Sequence, residues 1–224
     1  MNAFGTLRDI VVAPGRAFTA IAERPNWAIA YLAIALITTA GFLLASPALL
    51  HVMIALGAAD PEAASRPAAE LAKQARFTLA QQAISSLIAP LLMWNIAAMG
   101  IALFVRGDAP LSTFPRLLAL NAYGSIPVAL GTLAFGIGLR LHPAGNFASI
   151  ADLYGAVPLS LASFARHENE RQLNFLGFWD LWELWSLILI GYGYAAYLKL
   201  DLTAALALSF TIGLIYALFI TLSP

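Results

Sequence analysis

The residues best equipped for chemistry are two acids set among tryptophans, in Phe178-Trp179-Asp180-Leu181-Trp182-Glu183-Leu184-Trp185, at the mouth of a long apolar run. Helical residues three apart share a face, so the spacing aims Asp180 and Glu183 the same way. Carboxylates so placed at bilayer depth could share a proton or hold a cation, since like charges raise one of the two pKa values. An ionisable group inside a membrane is costly and is a functional candidate by default. A plainer reading competes. Acids in a helix's first turn complement its dipole, and tryptophans gather at membrane interfaces. The pair sits at the edge of its apolar run rather than the centre, which favours the plainer reading. Asn95, Asn121 and Tyr123 fall inside other apolar runs and could complete an intramembrane polar cluster, although such amides more often hydrogen-bond one helix to another. Tyr192, Tyr194 and Tyr197 could line a cavity or, equally, pack on neighbouring glycines.

Beyond these residues no catalytic constellation can be assembled. The chain has no cysteine, which excludes disulfides, thiolate catalysis and Cys-ligated zinc. His51, His142 and His167 stand in different loops and lack ligand spacing. His167-Glu168 opens a zincin-like pattern, but Arg171 stands where the second histidine belongs. Asp180 has no partnering aspartate, and no Gly-x-Ser-x-Gly elbow or phosphate-cradling loop occurs. A non-enzymatic protein without cofactor or metal is therefore expected. Formal net charge is zero, which argues against nucleic-acid binding through a basic surface.

The elements that must position these residues are membrane helices. The 224 residues are 61% hydrophobic and 11% charged, against about 45–50% and about 25% in soluble domains. The expected fold is all-α: an integral membrane bundle of five transmembrane helices with interfacial amphipathic helices. Residues 1–26 read as an interfacial lead-in, with Phe4, Leu7 and Val11 on one helical stripe, a break at Pro14, then Phe18 and Ile21. Residues 27–224 read as a single transmembrane domain with spans at about 27–46, 80–104, 116–138, 180–199 and 202–222. The first long apolar run begins only at Trp27, behind several charges, so no cleaved signal is expected. Asp60-Pro61-Glu62 has the cap, proline and acid of a helix start, and the helix carrying Glu70 and Lys73 should run on into the second span. Arg106-Gly107-Asp108-Ala109-Pro110 is a turn. Residues 140–178 should lie on the membrane surface. There Ile150, Leu153, Tyr154 and Val157 mark a short helix, Pro158 could begin another through Phe164, and Arg166 to Arg171 form a solvated turn.

The fourth span is short. Its charge-free part, Leu184 to Leu198, rises only about 22 Å as a helix, so crossing must draw in Glu183 and Asp180 or thin the bilayer. Along the fifth span Ala205, Ser209, Gly213 and Ala217 recur every four residues, matched by Gly191 and Ala195 on the fourth. Such small residues let two helices approach closely, and the tight turn Lys199-Leu200-Asp201 should make these two an antiparallel pair. With the N-terminus in the cytoplasm, Arg8, Arg16, Arg24, Arg106, Arg116 and Lys199 fall on the shorter segments, so basic density favours that orientation, with the C-terminus outside. A multi-pass protein of the cell inner membrane follows, with membrane lipids, an unidentified membrane or peripheral protein, or further copies of itself as partners.

Three stretches resemble the Yip1 family of five-span membrane proteins in its prokaryotic form. Pro14-Gly15-Arg16-Ala17-Phe18 with Ile21 and Pro25-Asn26-Trp27 is similar to the family's lead-in to its first span. Asn121-Ala122-Tyr123-Gly124-Ser125-Ile126-Pro127 fills the slot of its Tyr-Gly-Tyr-Ser and proline motif at the third span. Phe178-Trp179-Asp180-Leu181-Trp182-Glu183-Leu184-Trp185 looks like its Phe-x-Asp-x-aromatic-x-x-Trp pattern. Asp152-Leu153-Tyr154-Gly155 copies most of the eukaryotic Asp-Leu-Tyr-Gly-Pro signature, but it follows the third span and continues with Ala156, so the match is coincidental. The resemblance implies the five-span fold and a protein that binds partner proteins or lipid, in membrane organisation or trafficking. Eukaryotic relatives are associated with Rab GTPases and vesicle traffic; the alanine-rich, cysteine-free composition suggests a bacterial chain, to which that role does not carry over. The alternative is a small transporter or channel that uses Asp180 and Glu183 for protons or cations.

Overall fold

The structure, a computed structural model, describes residues 8–10, 12–59, 66–104, 110–157, 160–164 and 170–222. Its principal helices are α1 (Pro14–Glu23), α2 (Trp27–Ala59), α3 (Ala68–Phe104), α4 (Pro110–Gly124), α5 (Ile126–Arg140), α6 (Ile150–Ala156), α7 (Glu170–Phe178), α8 (Leu181–Leu198) and α9 (Leu202–Leu222). Short 3-10 turns cover Ala144–Asn146 and Leu161–Phe164. Among the described residues the only strand-like feature is an isolated antiparallel bridge between Ser160 and Asp180. The fold is all-helical, and helices dominate because the apolar runs satisfy their own backbone groups, which hydrocarbon cannot do for them.

Among the described residues, four stretches are long and apolar enough to cross a membrane: Trp27–Ala59, Ala68–Phe104, Ser112–Arg140 and Leu202–Phe219. The expected fourth span forms as α8, a helix of 18 residues, but it is not among those four. Glu183 in its first turn and the tyrosines and tryptophans along it dilute its apolar character.

Helix limits differ from expectation, for local reasons. The helix of the first span does not end at Ser46; α2 runs through Pro47 to Ala59. Proline lacks the N–H that would bond to the carbonyl four residues earlier. Here that carbonyl is Leu43 O, and the Ser46 hydroxyl donates to it at 2.8 Å, so the helix continues. As expected, one helix carries Glu70 and Lys73 on into the second apolar run: α3 begins at Ala68 behind Pro67 and has Glu70 in its first turn. Asp60-Pro61-Glu62 and the 106–109 part of the expected turn lie outside the described residues, as do Phe4, Leu7 and Val11. The third span is interrupted at Ser125, between α4 and α5. Pro127 cannot bond to Tyr123 O, yet Ser125 N bonds to Asn121 O at 3.0 Å and Val128 N to Ser125 O at 3.2 Å, so the break is only one residue wide.

Contacts divide the chain into two compact units, Met1–Ala35 with Pro90–Val128 and Trp182–Pro224, and Leu36–Ala89 with Ala129–Leu181. In the first unit α1 packs on α4 and buries Ala17, Phe18, Ile21 and Ala22. The apolar face of the second half of the lead-in is thus covered by protein. In the same unit Lys199 takes a left-handed φ of 55° at the end of α8. Asp201 then caps α9, its side chain accepting from Ala204 N at 3.0 Å. The second unit has a core of Ala45, Ala48, Val52, Leu139, Phe147 and Leu153. In it α2 and α5 cross at two glycines, and a Cβ on Gly136 would collide with the carbonyl oxygen of Gly41. The surface segment is ordered by a capping box, with Asp152 N donating to Ser149 Oγ at 3.2 Å and Ser149 N to Asp152 Oδ2 at 2.9 Å. Leu161–Phe164 packs on both α6 and α7. Pro158 and residues 166–169 of the expected solvated turn lie outside the described residues, and α7 begins at Glu170.

Candidate functional site

The break between α4 and α5 gathers one set of polar groups of the first unit. Asn121 is 2% exposed. Its Oδ1 accepts from the Tyr194 hydroxyl of α8 at 2.7 Å, and its Nδ2 donates to Trp94 O of α3 at 3.5 Å. Trp94 Nε1 donates to Ser125 Oγ at 3.0 Å, and that hydroxyl donates to Asn121 O at 2.9 Å. Each group therefore answers another, and three helices are held to one node. Close backbone approach makes room for it: a Cβ on Gly124 would lie 2.5 Å from Ile190 Cγ1, and one on Gly193 3.2 Å from Phe18 Cδ1. Tyr123 is buried beside the node. Asn95 is not part of it; it is exposed on α3 and donates to Leu91 O of its own helix at 2.7 Å. Of the tyrosines that could line a cavity, Tyr194 is a core group, bonded through Asn121.

Tyr197 serves a second polar contact that sequence reasoning missed. Its hydroxyl donates to Thr113 Oγ1 at 3.3 Å and accepts from Arg116 at 3.4 Å, while the Arg116 guanidinium carbon lies 5.6 Å from the centre of its ring. Cation–π attraction of this kind helps to anchor the charge. No motif announces it, because the three residues come from two helices and are joined only by folding.

The two acids stand in different settings. Asp180 precedes α8 and belongs to the bridge with Ser160, so it is not on a helix and the helical spacing to Glu183 does not apply. Leu161 N donates to Trp179 O at 3.1 Å beside the bridge. Residues paired across an antiparallel bridge project to the same side, which places the Ser160 hydroxyl with the Asp180 carboxylate. The Ser160 hydroxyl is buried and has no partner among the described residues. Tyr154 of α6 senses the acid: burial, and then the negative charge of Asp180, push its hydroxyl pKa above the ordinary tyrosine value. A Cβ on Gly177 would come 2.8 Å from that hydroxyl, so α7 and α6 meet closely there. Glu183 lies in the first turn of α8, half-buried, with the rings of Trp182 and Trp185 6.0 Å apart beside it. The Trp182 indole N–H is buried and unpartnered among the described residues.

The Yip1 domain family matches residues 8–222 of the chain. The chain belongs to the Yip1 family. No curated protein and no solved structure matches it. The stretches that carry the Yip1 likeness have structural roles: Ala17, Phe18 and Ile21 belong to the buried face of α1, and Asn121 to Pro127 form the polar node and the helix break. Asp152, in the Asp152-Leu153-Tyr154-Gly155 stretch, forms the capping box with Ser149.

The hairpin of this Yip1 protein packs through its small residues. Ser209 Oγ of α9 donates to Leu187 O of α8 at 2.8 Å. A Cβ on Gly213 would lie 2.9 Å from Leu187 Cδ1, and one on Gly191 3.2 Å from Leu206 Cα. Ala205, Ser209 and Ala217 are buried and Ala195 is half-buried. Beside the hairpin an apolar groove of about 720 Å³ opens between Gly100 and Phe104 of α3, Leu198 and Leu200, and Ile212 and Ile215 of α9.

Proposed function

We propose that this Yip1-family protein is a non-enzymatic protein of the cell inner membrane whose helices bind lipid or partner proteins, in membrane organisation. The observation that carries this reading is the apolar groove. No side chain lining it carries a charge or a hydrogen-bonding group, so its complement is hydrocarbon: an acyl chain or an apolar helix. Lys199, exposed in the turn between Leu198 and Leu200, stands where it could meet a phosphate or an acidic partner. The polar node at Asn121 supports the reading too, since its groups bond to one another and hold helices together.

The reading includes five spans with the N-terminus in the cytoplasm. As a helix of 18 residues, α8 rises about 27 Å, close to the about 30 Å of hydrocarbon. A second reading, a small transporter that uses Asp180 and Glu183 for protons or cations, draws support from the unpartnered Ser160 hydroxyl beside Asp180. Extraction with native membrane, followed by lipid and protein analysis, tests the first reading: lipid or a partner protein should co-purify above its bulk abundance. Proteoliposome flux that vanishes on Asp180→Asn with Glu183→Gln would replace it with the second.

A further inference from the structure

On α3, Asn95 stands on an exposed stripe with Leu92, Ile96, Met99 and Leu103. Steps of three and four residues keep these positions on one side of the helix. The flank next to Asn95, with Trp94 at 6% and Ala98 at 0% exposure, is buried within the protein, so Asn95 stands at the edge of the stripe. Asn95 lies nine residues before Phe104, the end of the helix, with Arg106 just beyond in the sequence. Nine residues rise about 14 Å, nearly half of the about 30 Å hydrocarbon layer, so Asn95 faces outward near mid-membrane. Its side chain makes one hydrogen bond among the described residues, to Leu91 O, and its Oδ1 accepts none. A lipid tail offers neither donor nor acceptor to the rest of the carboxamide.

We propose that this stripe is the contact between two copies of the chain, which cross in the membrane as a two-fold pair with Asn95 against Asn95. A carboxamide both donates and accepts, so identical side chains across a two-fold axis satisfy each other and no third component is needed. One amide in an apolar seam also fixes register. Leu92, Ile96, Met99 and Leu103 supply the packing around it. Gly100 flanks the stripe, and a Cβ added there would meet nothing within 4 Å, so a second helix can come close. The pairing goes beyond the proposed function and does not depend on it, because the chain can pair whether or not it binds lipid or another protein.

The natural sequence has no cysteine, so single-cysteine variants report without background. Leu92→Cys and Met99→Cys should form disulfide-linked dimers on mild oxidation in native membranes. Leu214→Cys, exposed on α9, should give few. Energy transfer between two labelled copies, diluted in lipid, should show Asn95→Ala associating about five- to thirty-fold more weakly, with Asn95→Gln retaining most of the association. Thermal unfolding of Asn95→Ala should match the natural protein, since the residue is exposed, which separates lost pairing from lost fold. Absence of dimers for both cysteine variants would overturn the proposal, as would Asn95→Ala associating within two-fold of the natural chain. Cross-linking of these positions to a different protein in place of a second copy would overturn it as well.

Discussion

Asn121 and Tyr194 form the buried hydrogen bond on which the node depends, and its two ends are not equivalent. Removing the amide by Asn121→Ala leaves the Tyr194 hydroxyl in the core without an acceptor and Trp94 O without its Nδ2 donor, while the Trp94 indole keeps Ser125 Oγ. An orphaned buried group costs about 1–3 kcal/mol, so Asn121→Ala should lower the stability of the detergent-solubilised protein by about that much. Tyr194→Phe keeps the ring but orphans Asn121 Oδ1 in its turn, so it should also lose stability. Thermal unfolding of the two variants measures both losses, and an unchanged Tyr194→Phe would mean that packing, rather than the bond, holds α4 to α8. Tyr154 makes a prediction in pH. Its pKa is raised in the fold by burial and by Asp180. The unfolded chain therefore loses the phenolic proton first, near pH 10, and stability should fall as pH rises from there through the folded pKa. Asp180→Asn removes the second cause, so the phenolate absorbance attributed to Tyr154 by comparison with Tyr154→Phe should shift to lower pH. At this scale the sequence was a partial guide. It offered Asn121 and the tyrosines as polar candidates, but pairing Asn121 with Tyr194 needs two helices in contact, and nothing in a local pattern supplies that. Likewise it set Asp180 on a helix with Glu183, because periodicity does not register a bridge to Ser160 that forms from distant residues.

Among the elements, the helices were legible and their ends were not. Apolar length announces a membrane helix, but where it stops depends on single hydrogen bonds, such as Ser46 to Leu43 O, which carries α2 past Pro47. The small-residue ladder on α9 was readable because it repeats every four residues. The crossing of α2 and α5 was not, since Gly41 and Gly136 stand on different helices without a shared repeat. That crossing is the tightest helix contact in the second unit to have a clear substitution test. Gly136→Ala would force a methyl group into the Gly41 carbonyl, and backbone must move to admit it. Overpacking of this kind costs about 1–3 kcal/mol. Gly15→Ala is the matched control: its Cβ would meet nothing within 4 Å, and it should be neutral or stabilising by up to about 1 kcal/mol. Unfolding midpoints of the two variants in one detergent check the contrast, which would fail if both lost stability alike. The amphipathic pattern of α1 was also visible from its spacing. What covers its apolar face was not, because an amphipathic helix fits a bilayer surface and a protein groove equally well until the partner, here α4, is in place.

For the whole molecule, composition and apolar runs alone reveal a membrane protein, and the Yip1 match over residues 8–222 gives it a family. The proposed function rests on what the bundle leaves open. Its polar node is closed upon itself, whereas the groove beside Gly100, Phe104, Leu198 and Ile212 is open and wholly apolar. The groove was beyond reach of the sequence, since its walls come from α3 and the hairpin and every residue in them reads as ordinary membrane helix. The most direct test fills it. Ala97 lines the groove, and Ala97→Phe would put a ring where an acyl chain or partner helix should lie. Lipid and protein composition would be measured for the natural chain and Ala97→Phe, each extracted with native membrane. The account predicts a lipid or partner enriched with the natural chain and reduced several-fold by Ala97→Phe at unchanged thermal stability. An extracted composition equal to bulk membrane for both proteins would contradict it.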